Sequence, residues 1–181
     1  EKLVHHADPN TSGAAFDALL TKVHHSNGWF DPEQVRKAVS SWSQALSEAN
    51  IRQWLANTSF ANTTPRTIGL IVAGNIPLVG MHDLLCLWAS PHKTLIKCAR
   101  KDPYLLPWIV EELESISPND KGRIAFTQGP LKNYEAVIAT GSNNSARYFE
   151  SYFQAVPHLI RKNRNAIAVL DGSESKTQLE A

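Results

Sequence analysis

The chain has 181 residues, 43% of them hydrophobic and 19% charged, a balance that excludes a disordered polar chain and allows a sizeable core. A formal net charge of +1 offers no broad basic field for nucleic acid, so small molecules are the expected partners. Two cysteines, Cys86 and Cys98, stand at no metal or disulfide spacing, no run approaches the roughly 18 apolar residues of a membrane span, and no secretory pattern opens the sequence; the expected location is cytoplasmic. The sequence starts at Glu1 without methionine and stops in QLEA, which reads as the opening of another helix, so a piece of a longer protein is expected.

Residues 1–64 read as a helical segment. Phe16, Leu19, Leu20 and Val23 form a modest apolar stripe suited to one short helix. Asp31 then offers an N-cap, Pro32 fits the first helical position, and Val35, Ala38, Val39, Trp42 and Leu46 share a face, which predicts a helix from Pro32 to Leu46. Ser47 starts another, with Ile51, Trp54 and Leu55 as its stripe, before the polar loop from Asn57 to Pro65. Trp29, Trp42 and Trp54 are read as core aromatics, with a pocket for an apolar ligand as the alternative. The pairs His5, His6 and His24, His25 suggest metal, but adjacent histidines point in different directions and no third ligand stands at a familiar spacing, so no metal site is expected.

Residues 65–181 alternate apolar runs with helical patterns. Strands are predicted at Ile68 to Ala73, Thr94 to Cys98, Arg123 to Thr127, Ala136 to Ala139 and Ala166 to Leu170, and helices near Leu78 to Ala89, Pro103 to Ile116 and Asn144 to Gln154. Five short apolar strands with helical crossovers make an α/β fold with a doubly wound parallel sheet. The stretch between Thr127 and Ala136 is too short for a full crossover helix.

The centre of the pattern is IGLIVAGNIPLVG, Ile68 to Gly80, a buried strand running through a glycine turn into a helix. Asn75 therefore stands beyond the carboxyl end of a parallel strand, where open α/β sheets bind ligands. No GxGxxG follows this strand. The fourth strand ends in Thr140, Gly141, Ser142 and Asn143 before a helix; a glycine turn at a helix N-terminus suits phosphate, and a simple capped helix explains the same residues equally well. At the end of the second strand, Lys97, Arg100 and Lys101 make an edge suited to an anion, or a solvated charge run; beside a ribose such cations favour a 2′-phosphate. Cys86 reads as a small buried hydrophobe, and Cys98 has no adjacent histidine base. Arg161, Lys162 and Arg164 form a further basic cluster, suited to a phosphorylated ligand or to water.

Four stretches in register, IGLIVAGNIPLVGMHDLLC, LIKCARKDPYLLP, AVIATGSNNSARYFESYF and LIRKNRNAIAVLDG, resemble the aldehyde dehydrogenase superfamily and, within it, the LuxC-type acyl-CoA reductases. The resemblance implies a Rossmann-like, five-stranded NADP-binding domain over residues 65–181, with residues 1–64 as a helical appendage and the catalytic domain outside this chain. It implies that Asn75 helps hold the thioester or thiohemiacetal oxygen, that Lys97 contacts the adenosine ribose, and that Gly141 and Ser142 face the cofactor phosphate. Arg100 replaces a glutamate common in the family, which fits NADPH better than NADH. Ala146 replaces a second glycine of the phosphate turn. The water-activating glutamate of hydrolytic members has no counterpart near Ile160, as suits an enzyme that transfers an acyl group between a thiol and coenzyme A.

The implied activity is reduction of an acyl-CoA to an aldehyde with NADPH through a cysteine acyl-enzyme, the cysteine lying beyond Ala181. Two alternatives stand beside it: an acyl-phosphate reductase of the glutamyl phosphate type, and a module that binds a nucleotide or a partner without chemistry. A sheet lacking its partner domain exposes apolar surface, so a homo-oligomer is also expected.

Overall fold

The computed structural model describes residues 9–162, 170 and 172–176. Three helices come first: α1 (Pro9–Ser26), α2 (Pro32–Ala45) and α3 (Glu48–Leu55). Asp31 caps α2 by accepting the Glu33 N–H at 2.8 Å, and Ser47 caps α3, as their sequence positions foretell.

β1 (Thr67–Ile71), α4 (Met81–Ala89), β2 (Lys93–Lys97), α5 (Leu105–Ile116), β3 (Ile124–Phe126), β4 (Ala136–Thr140), α6 (Asn143–Tyr152) and β5 (His158–Arg161) follow. The strands form one parallel sheet in the order β3-β2-β1-β4-β5. The chain grows outward from β1 to β3, returns beside β1 as β4, and grows outward again on the other side. This return from β3 to β4 contains no helix, in keeping with its short span.

The fifth strand departs from the expectation. It is His158–Arg161, whereas the predicted strand at 166–170 lies outside the described residues except for Leu170, which is not in a strand. The physical reason is position: β5 is an edge strand, with His158 and Leu159 exposed, and lacks the unbroken apolar run that marks a strand covered on both sides.

Alternation along the strands splits the apolar residues between two cores. Ile68, Leu70, Val72 and Ile96 pack with Leu84 of α4 and with Leu105, Leu106 and Val110 of α5. Val137 and Ala139 turn the other way and pack with Ile71, Phe149, Phe153 and Ile160. Helices α4 and α5 thus belong to one core and α6 to the other, the doubly wound arrangement that right-handed crossovers dictate.

The N-terminal helices do not stand apart as an appendage. Leu20, Val23, Phe30 and Val35 are buried members of the larger core, and Phe16 meets Trp108 with ring centroids 5.1 Å apart. The change of sequence pattern near residue 64 therefore does not mark a break in packing for α1 and α2. α3 is the looser element: none of its residues is fully buried.

Candidate functional site

A cleft of about 1350 Å³ opens beyond the carboxyl ends of β1, β2 and β4. It lies at the switch point of the sheet, where the chain leaves β1 toward β2 on one side and returns as β4 on the other, so the turns after β1 and β4 diverge and leave a crevice. Asn75, Arg100, Gly141 and Ser142 all line it.

The turn after β1 forms the wall that carries Asn75. Gly74 is pressed against the turn after β2: a Cβ there would stand 2.7 Å from the Ala99 Cβ, so only glycine fits. Asn27, just past α1 and buried, donates its side-chain amide to the Gly74 carbonyl at 3.0 Å. Leu78 completes the turn in the left-handed region, φ 57°, and its buried side chain holds it there. Asn75 itself is exposed and its side chain has no hydrogen-bond partner among the described residues, leaving its amide uncommitted. The anchoring at this wall thus belongs to the turn and not to the Asn75 side chain.

The opposite wall begins at β4. Gly141 follows the strand with no room for a side chain, since a Cβ would meet Ser145 Cβ at 2.9 Å and Phe149 Cε2 at 3.1 Å. Ser142 caps α6, its hydroxyl accepting the Ser145 N–H at 3.2 Å. Other N–H groups of the first turn have no acceptor inside the helix, as helix geometry requires. The Thr140 hydroxyl is fully buried without a hydrogen-bond partner among the described residues, and Thr140 lines the cleft. A tight glycine, a helix N-terminus and an unpaired hydroxyl together fit a phosphorylated ligand. Ala146 is buried, so its methyl group faces the protein interior and does not narrow the cleft.

The sequence grouping of Lys97 with Arg100 divides in three dimensions. Arg100 and Lys101 line the main cleft and form no ion pair among the described residues. Lys97 lines a separate depression of about 400 Å³ with Leu131, the α6 aromatics Tyr148, Phe149 and Tyr152, and Phe153 just after the helix. The two hollows share Ile71 and Phe149, so they are neighbours along the β1 and α6 wall.

Two groups at the cleft escaped the sequence reading. Asp83, the one acid in the apolar run of α4, is buried and takes Arg161 Nε at 3.0 and 3.1 Å and Nη2 at 2.8 Å, tying β5 to α4 across the cleft. Its signal was present, since a lone carboxylate among Leu84, Leu85 and Leu87 needs a partner. Trp29 was read as core but is 85% exposed and lines the cleft, whereas Trp42 packs on the larger core and Trp54 is partly exposed, its ring 6.2 Å from that of His82. Lys162 is committed to Glu150 at 2.6 Å. Arg164 lies outside the described residues.

Neither cysteine is poised as a nucleophile. Burial, reinforced by the Asp102 carboxylate, pushes the Cys98 thiol up to about 12. Burial followed by Asp83 also raises Cys86, and His82 comes no nearer to its sulfur than 3.8 Å. Asp102 is itself raised to about 6 by burial, against the lowering effect of the Leu105 and Tyr104 N–H groups. No group of three or more potential metal ligands occurs among the described residues, and no helix there is long and apolar enough to cross a membrane. Ile160, near the expected place of a water-activating glutamate, packs against the smaller core. Comparison of the chain with protein-family models and with curated proteins finds no match in either.

Proposed function

We propose that this chain is the cofactor-binding part of an NADPH-dependent acyl-CoA reductase, of the aldehyde dehydrogenase type, that reduces an acyl thioester to an aldehyde through a cysteine acyl-enzyme. The observation that carries this reading is the meeting of Asn75, Arg100, Gly141 and Ser142 in one crevice at the switch point between β1 and β4. The diphosphate would rest on the Gly141–Ser142 turn and the first turn of α6. Lys97 would take the adenosine ribose from the aromatic depression beside α6, and Arg100 supplies a cation for the extra phosphate that distinguishes NADPH from NADH. When bound, NADPH supplies the reducing equivalent. On the facing wall the uncommitted amide of Asn75 donates to the thioester oxygen as negative charge develops there.

The acyl-enzyme requires a thiolate, and neither Cys98 nor Cys86 is placed to supply one. The proposed nucleophile therefore lies outside these 181 residues, and the purified chain with acyl-CoA and NADPH is expected to form no aldehyde. Thermal unfolding with each nucleotide tests the reading. A rise in Tm with NADPH exceeding that with NADH supports it, and a Tm indifferent to both favours a module without this cofactor.

A further inference from the structure

Beside the main cleft, on the side away from α6, lies a depression of about 530 Å³ formed by Ser26, Asn27, Gly28, Trp29 and Lys101. Asn27, Trp29 and Lys101 also line the main cleft, so the two are continuous. Its walls are held on one frame. The Trp29 N–H donates to Asn27 Oδ1 at 3.2 Å, the Asn27 amide grips the Gly74 carbonyl, and the Ser26 hydroxyl donates to the Lys101 carbonyl at 3.4 Å. The end of α1 is thereby fastened to the turns after β1 and β2, although Trp29 and Lys101 are 72 positions apart in sequence.

Within this fixed frame two groups are left uncommitted. The Trp29 indole is 85% exposed, an unusual display for so large an aromatic surface, and it has no ring partner among the described residues. The Lys101 ammonium has no ion-pair partner there, and neither has the adjacent Arg100 guanidinium. A broad aromatic face next to free cations selects a flat ring that carries an anion. Stacking on the indole and charge pairing with Lys101 and Arg100 are satisfied together by a phosphorylated purine nucleoside, and the hollow falls within the size range of small-ligand sites.

We infer that the Trp29–Lys101 depression is a second nucleotide subsite, which stacks a purine on Trp29 and holds a ribose-borne phosphate at Lys101 and Arg100. It is separate from the Gly141–Ser142 turn and does not depend on the reading of that turn as a cofactor site. With the adenosine of NADPH assigned above to Lys97, the ligand that fits a second subsite is the 3′-phosphoadenosine end of a coenzyme A thioester.

Adenosine 3′,5′-bisphosphate, adenosine 2′,5′-bisphosphate and adenosine 5′-monophosphate, titrated calorimetrically into the purified chain, test the inference. Expected is binding of a bisphosphate that weakens about tenfold in Trp29→Ala, weakens in Lys101→Met, and persists in Gly141→Ala. Tighter binding of the 3′ isomer supports a coenzyme A subsite, whereas tighter binding of the 2′ isomer places the NADPH adenosine here and overturns a second subsite. Trp29 and Lys101 are surface side chains, so both variants should keep the wild-type Tm, which verifies that a loss of affinity is not a loss of fold. Absence of binding by all three probes, or affinity unchanged in both Trp29→Ala and Lys101→Met, would overturn it.

Discussion

The Asp83–Arg161 pair gives the sharpest test of how the cleft is held together. Asp83 has a side chain 4% exposed, and Arg161, 27% exposed, reaches it with three hydrogen bonds from the end of β5. Removing one partner of a buried pair costs about 3–5 kcal/mol because the other charge is left without compensation. The two halves of this pair should not cost the same. In Asp83→Asn the stranded charge is Arg161, which still touches water and can turn outward, so the loss is reduced to about 2 kcal/mol. In Arg161→Met the stranded charge is the buried carboxylate, and the loss at pH 7 should approach the full range of about 3–5 kcal/mol. Urea denaturation of both variants and of the double variant at pH 7 measures these losses, and the double variant should cost less than the sum of the singles. Equal losses for the two single variants would refute the claim that Asp83 is sealed from water.

Further outcomes follow from the turns that form the cleft. Asp102 is raised to about 6 from 3.8, so the folded state holds its proton where the unfolded state has released it, and stability should decline from about pH 4 to pH 7. Asp102→Asn removes the buried charge while keeping an acceptor for the Leu105 N–H, so it should raise stability at pH 7 by about 2 kcal/mol and flatten the decline, as read by urea melts across that range. Gly74→Ala places a methyl 2.7 Å from the Ala99 Cβ and should cost about 1–3 kcal/mol in the same assay. Asn27→Ala strips the Gly74 carbonyl of its donor and should cost about 1–3 kcal/mol, whereas Asn75→Ala, at an exposed side chain, should leave Tm within about a degree of wild type.

The sheet was legible where strands are covered on both faces and opaque where they are not. Ile68, Leu70 and Val72 carry an apolar run that only a central strand needs, and the reading there shifted by no more than two residues at either end. β5 shows the converse. His158 and Leu159 face water at the sheet edge, so HLIR carries no such signature and the more apolar stretch after it drew the prediction. Capping residues were readable because their chemistry is local: Asp31 and Ser47 each serve an N–H two or three residues away. The clamp from Asn27 to Gly74 joins residues 47 positions apart, and no local period foretells it. Trp29 was misread for a related reason, since helical spacing implies burial only when the residue lies on the packed face, and Trp29 falls after α1 has ended. Asn75, Gly141 and Ser142 were placed by their position after strands, a rule that depends on topology alone. The sheet order brought them into one cleft, while it turned Lys97 toward α6.

The proposed function requires that this cleft bind NADPH across the Gly141–Ser142 turn. Calorimetric titration of NADPH into the wild-type chain and Gly141→Ala is the direct measurement, because the added Cβ would stand 2.9 Å from Ser145 Cβ and displace the turn that is proposed to seat the diphosphate. Expected are saturable binding to the wild type, preference over NADH, and at least about a tenfold loss in the variant, equivalent to about 1.4 kcal/mol. Absence of binding to the folded wild-type chain, or equal affinity in Gly141→Ala, would contradict it.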